Sequence, residues 1–168
     1  MSLGKPTTPE DYLVTLRKRL ESQGFTIHEP TSIEGHSVEL VAFNDSFKWV
    51  ALVKRWVLGV SMVNPDIQTI QKFSASAFEH VSRVDGIPVG VSGGLNVTSL
   101  VVSDTLSPEV KDWALRRKAT MHFKDLQYTV LVEMKSQNIY CYKAPFWVHG
   151  FGQINSQHKF AMQYLGFQ

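Results

Sequence analysis

Glu39 and Lys54 are the two residues whose types and spacing invite chemistry. They lie in GHSVELVAFNDSFKWVALVKRW, residues 35–56, which reads as two strands, 38–43 and 48–56, separated by Asn44, Asp45 and Ser46. A turn of either two residues (45–46) or four (44–47) gives one register, with Phe43 opposite Lys48, Val41 opposite Val50 and Glu39 opposite Leu52. Side chains alternate across a strand, so Glu39 and Lys54 are expected on one largely apolar face as diagonal neighbours. A carboxylate that holds a hard divalent cation, beside a lysine that steadies an attacking hydroxide or a developing phosphate charge, is the apparatus of phosphodiester hydrolysis. The plain alternative is a cross-strand ion pair at the rim of a sheet, which contributes little when exposed.

The elements that must position this pair are punctuated clearly. Thr8 is the expected N-cap of a first helix, with Pro9 at its start, Glu10 and Asp11 in its first turn and Gly24 as its stop. Leu13, Leu16 and Leu20 form its core stripe, and Arg17, Lys18 and Arg19 lie off it. Residues 25–30 read as a short strand entering the hairpin, and 57–63 as a less regular strand or loop. Asn64-Pro65-Asp66 starts a second helix over 65–84, carried by Ile67, Ile70, Phe73, Ala77, Val81 and Val84 and ended by Asp85-Gly86. Ser92-Gly93-Gly94 reads as a plain turn, because no Gly-Lys-Ser/Thr follows it. NVTSLVVS at 96–103 is a buried strand, and Ser107-Pro108-Glu109 opens a third helix closed by Arg116, Arg117 and Lys118. Residues 122–133 supply a further strand, or a strand and a helical turn. The order αβββαβαβ predicts an α/β fold with a mixed central sheet flanked by helices on both faces.

Composition sets looser bounds. One domain is expected, as a disordered leader at 1–8, a main body at 9–135 and an aromatic-rich extension at 136–168 packed on the same body. The single cysteine, Cys141, and the lack of a long apolar run fit a soluble, cytoplasmic chain. A net charge of +2 permits an anionic partner without demanding one. The six histidines show no metal-ligand spacing, and no serine sits in a nucleophile elbow. In the extension, Tyr140, Tyr142, Phe146, Trp147, Phe151, Phe160, Tyr164 and Phe167 are interleaved with Lys143 and Lys159. That pattern suits stacking on single-stranded nucleic acid or a subunit interface, or else a strand at 139–143 and a helix at 156–165 that complete the core.

The succession of a helix ending in Ser-Gln-Gly-Phe, the VELVAF and VKRW strands, a long helix, the SLVVSD strand and the SPEVKDWALRRK helix resembles the Mrr-type branch of the PD-(D/E)xK restriction-endonuclease-like superfamily. The resemblance covers residues 9–133 and implies a restriction-endonuclease-like αβββαβ core. It places Glu39 at the family's acidic metal-ligand position and Lys54 at the catalytic lysine. Leu52 stands where the family carries Glu or Gln, and an aliphatic side chain cannot ligate magnesium. Glu79 and Asp66 are the acids that could replace the missing one. The resemblance therefore implies a DNA- or other nucleic-acid-binding module with weak or no catalysis, contacting its ligand through Lys54, Arg55, Arg116, Arg117 and Lys118. An active magnesium-dependent deoxyribonuclease, with Glu39 as metal ligand, and a protein-interaction module are the alternatives, and a homodimer is a further partner to consider.

Overall fold

In the computed structural model, which describes residues 6–48, 51–86 and 93–167, the β-branched and aromatic runs assemble into a seven-stranded mixed sheet. Its order is β1 (Thr26–His28), β4 (Leu40–Lys48), β5 (Ala51–Ser61), β6 (Gly93–Ser103), β8 (Asp125–Glu133) and β7 (Thr120–His122), and β9 (Asn138–Cys141) pairs with β8 beyond β7. A separate small hairpin, β2 (Thr31–Ile33) with β3 (His36–Val38), lies between β1 and β4 in the chain. Strands β1, β4 and β5 pair antiparallel, whereas β5, β6 and β8 are parallel. Parallel neighbours need a crossover, which helices α2 (Ile67–Asp85) and α3 (Pro108–Arg116) supply.

Alternation along the strands sorts the core into two halves. Val41, Trp56, Leu58, Leu95, Val97, Val101 and Leu131 meet α2 and α3 on one face. Leu40, Ala42, Val57, Leu100, Val102 and Tyr128 meet α1 (Pro9–Ser22) and α4 (Phe151–Phe160) on the other. The chain is thus a mixed α/β fold whose central sheet is covered by helices on both faces. α4 continues as a π-helical turn, Ala161–Leu165, whose Leu165 carbonyl accepts a hydrogen bond from the Tyr12 hydroxyl of α1. No helix among the described residues is long and apolar enough to cross a membrane.

The helix starts follow the local signals. Thr8, Asp66 and Ser107 are N-caps whose side chains accept from the backbone N–H of Asp11, Thr69 and Val110 at 3.1, 2.7 and 3.2 Å. Other expectations need correction. α2 begins at Ile67 rather than 65, because Asp66 spends its side chain on the cap. β5 continues without a break through most of 57–63. Gly93 and Gly94 are the first residues of β6 rather than a turn, Ser92 being outside the described residues. A Cβ on Gly93 would run into the Leu52 carbonyl, and one on Gly94 would lie 2.6 Å from the Lys124 carbonyl. The segment 122–133 belongs to a tight β7–β8 hairpin, and the last helix starts at Phe151, five residues before its expected start at 156.

One buried carboxylate ties α3 to the sheet. Glu133, at the end of β8, accepts from the Leu106 N–H at 2.8 Å, from Lys111 at 2.7 Å and from the Ser136 hydroxyl. Burial pushes its carboxyl up, but the donors from Lys111, Ser136 and Leu106 outweigh that and hold it at about 2, below the ordinary 4.5. A carboxyl depressed in the folded state contributes stability above its unfolded pKa and loses it as pH falls through the folded value. Urea unfolding should therefore show wild-type stability falling between about pH 4.5 and pH 2 more steeply than that of Glu133→Gln, and parallel pH profiles would contradict the assignment.

Candidate functional site

Lys54 sits on β5 directly opposite Asp45 of β4, on the face that packs against α2. Its ammonium is paired with the carboxylate of Asp85, the last residue of α2, and lies 3.4 Å from the Asp85 carbonyl. The second Asp85 oxygen accepts from the Trp56 indole N–H at 2.8 Å. Trp56 is in turn stacked by His28 at 5.2 Å and tilted against Phe43 at 4.9 Å between ring centroids. The Lys54 and Asp85 side chains keep 16% and 22% of their exposure, so this ion pair is largely desolvated yet still reached by solvent.

Glu39 is elsewhere. Its carboxylate accepts from the Ser61 N–H at 3.3 Å and the Ser61 hydroxyl at 3.1 Å, and its own N–H bonds the Gly59 carbonyl. Lys54 pairs with Asp45, six positions along from Glu39, so the two groups are separated by about 20 Å. The expected register is thus corrected: β4 does not turn at 44–46 but runs on to Lys48, Phe43 lies opposite Trp56, and Val41 lies opposite Leu58. Val50 lies outside the described residues. The observed register wins an aromatic pair, Phe43 with Trp56, and an opposite-charge pair, Asp45 with Lys54, where the expected one set Phe43 against Lys48. The Asn44 amide, read as a turn residue, instead donates to the Gly24 carbonyl at 3.1 Å.

The replacement acids do not reach Lys54 either. Asp66 caps the far end of α2, about 28 Å from Asp85 by helical rise, and Glu79 is exposed and paired with Arg83 at 3.5 Å. In sequence Asp85 reads only as a helix stop; nothing local marks it as a partner of Lys54, since only the crossover brings the end of α2 back beside β5. Leu52 faces Phe47 in the ladder, and its backbone is approached by Gly93. No group of three or more His, Cys, Asp or Glu residues able to hold a metal ion occurs among the described residues.

The basic residues divide into two kinds. Arg55 points to the opposite face from Lys54, where its guanidinium lies 4.4 Å from the Phe160 ring centroid and donates to Gln157 at 3.1 Å. Burial lowers its pKa, and Gln157 passes the network on to Thr98. Arg117 packs 5.0 Å from the Trp113 ring centroid, and burial lowers its pKa as well. Arg116 and Lys118 are exposed, Arg116 holding Asp112 at 2.8 Å.

Helix direction gathers these charges at one end of the molecule. The starts of α1, α2 and α3 border the ends of β5 and β6, where Thr8, Ser61, Asn64 and Thr105 line one cleft and Asp66, Ser107 and Glu109 another. Glu10, Asp11, Asp66, Asp104 and Glu109 belong to that end. α2 and α3 finish at the opposite end, beside the starts of the parallel strands, with Arg83, Arg116, Arg117 and Lys118. Acids at helix starts and bases at helix ends both suit the helix dipole.

No family model, curated protein or solved structure matches this chain.

Double-mutant cycles on unfolding free energy test the geometry. Lys54→Ala and Asp85→Ala should couple by roughly 0.5–3 kcal/mol, whereas Glu39→Ala and Lys54→Ala should add within about 0.5 kcal/mol. Strong coupling of Glu39 to Lys54 would restore the register expected from sequence.

Proposed function

We propose that this chain is a nucleic-acid-binding module with a restriction-endonuclease-like core and weak or no catalysis, which receives duplex DNA at the strand-start end of its sheet. One observation carries the reading: the ends of α2 and α3 deliver Arg83, Arg116, Arg117 and Lys118 to that end, while the acids of the helix starts lie at the other. Asp45 and Asp85 share the strand-start end, so the attraction a polyanion meets there comes from the exposed Arg116 and Lys118. The succession α1, β1, β4, β5, α2, β6, with the β2–β3 hairpin inserted, supports the nuclease-like core. Magnesium does not fit at Glu39, whose carboxylate is taken up by Ser61 and lies far from Lys54.

Within this reading the five basic candidates have different roles. Lys118 is exposed, and Arg116 is held only by the exposed Asp112 at 2.8 Å, so both can reach phosphates, whereas Lys54 is engaged by Asp85 and Arg55 by Gln157 and Phe160. Duplex binding followed by fluorescence anisotropy should weaken linearly in log affinity against log salt. Arg116→Ala and Lys118→Ala should each reduce that slope by about one. Arg55→Ala should lower stability more than it lowers the slope. Absence of binding to duplex and single-stranded DNA alike at low salt would assign the chain to protein interaction instead.

The surroundings of Lys54 favour one second reading, a magnesium-dependent deoxyribonuclease whose carboxylates are Asp85 and Asp45. Lys54 is bonded to the first and lies opposite the second. In that case metal-dependent cleavage of duplex, branched or single-stranded DNA should vanish in Lys54→Ala and Asp85→Asn and survive in Glu39→Ala. The binding-module reading expects little cleavage by the wild type with magnesium or manganese.

A further inference from the structure

The outer face of α4 presents a different kind of surface. An open cleft of about 870 Å³ runs along α4 and the π-helical turn, bordered by Lys143, Ser156, His158, Lys159, Met162 and Gln163, and no acidic residue lines it. Lys143 and Lys159 are exposed, and Met162 is 48% exposed. Burial and then the nearby Lys143 charge lower the His158 pKa. The lining joins positive charge with a soft apolar patch.

The loop that enters α4 adds aromatic faces. Asn155 accepts from the Ala144 N–H and donates to the Ala144 carbonyl, both at 3.0 Å, which pins the base of the loop to the helix beside the cleft. Two and three residues further on, within about 10 Å of chain, come Phe146 and Trp147. They are 76% and 74% exposed and hold each other edge to face at 5.1 Å between centroids. Other aromatics of this segment are buried: Tyr142 and Phe160 belong to the core. Phe146 and Trp147 are therefore not needed to complete the fold.

We propose that this cleft and the Phe146–Trp147 loop form a binding site for single-stranded nucleic acid, with Lys143 and Lys159 at the phosphates and Trp147 stacked on a base. Charge complementarity selects the ligand: an acid-free basic cleft suits a polyanion, and exposed ring faces suit bases that are not already stacked in a duplex. Duplex DNA keeps its bases stacked on each other and leaves Trp147 without a partner. The site is separate from the strand-start end proposed for duplex, so either can fail without the other.

The test is titration of the full chain with a labelled oligothymidylate of about 15 nucleotides at low salt, read by anisotropy and tryptophan quenching. Wild type should bind, Trp147→Ala should weaken binding about 5- to 100-fold, and Trp147→Phe should retain most of it. Lys143→Glu combined with Lys159→Glu should abolish measurable binding. All these positions are exposed, so thermal unfolding should stay unchanged. Arg116→Ala and Lys118→Ala should leave oligonucleotide binding intact while weakening duplex binding. No binding at low salt, or equal binding by wild type, Trp147→Ala and the charge reversals, would overturn the proposal. So would concentration-dependent self-association that Trp147→Ala removes in place of oligonucleotide binding, since that gives the surface to a second copy of the chain.

Discussion

The parallel pairing of β5 with β6 and of β6 with β8 is the constraint on which the rest depends. Hydrogen bonding between parallel neighbours obliges the chain to travel back the length of the sheet before each new strand. α2 and α3 are those return journeys, both laid on one face. Their common direction puts two helix ends, with their bases, beside the strand starts. It also brings Asp85 to Lys54, thirty-one residues away in sequence. The charge distribution and the Lys54–Asp85 ion pair are thus products of topology more than of any local motif.

What could be read from sequence follows the range of the interactions involved. Thr8, Asp66 and Ser107 act on backbone N–H groups three residues ahead, so their helix starts are written locally. The buried strand at 96–103 is legible for a similar reason, being a short run without a charge that is rich in β-branched residues. The hairpin register is not local. Asn44, Asp45 and Ser46 carry strong turn character, yet pairing Phe43 with Trp56 and Asp45 with Lys54, together with the bond from Asn44 to Gly24, outweighs it. Sliding that register carries Glu39 away from Lys54 and dismantles the expected site. The start of α4 was equally hidden: its N-cap is Gly150 in a left-handed conformation, with no side-chain hydrogen bond to announce it.

Arg55 shows how one strand serves two environments. Lys54 and Arg55 are neighbours, but alternation sends one to α2 and the other beneath α4. The two adjacent cations therefore split into two structural contacts, each closed by a partner from a different crossover or extension. Gln153 and Gln157 extend the second contact to Asn96 and Thr98, giving α4 a polar seam within an apolar face. Such a seam fixes where the helix sits along the sheet, because shifting it would leave several buried donors unmatched.

β6 has a consequence for how the molecule moves and assembles. It is paired along both edges, with β5 over Gly93–Val102 in its own numbering and with β8 over Asn96–Ser103, and is buried almost throughout. Its amides can meet solvent only when the β5 and β8 ladders and both helical layers open together, so hydrogen exchange there reports global unfolding while β1 and β7, three-residue strands at the margins, exchange by fraying. Both of its pairings also join segments distant in the chain, so forming them carries a loop-closure cost that local hairpins such as β7–β8 avoid.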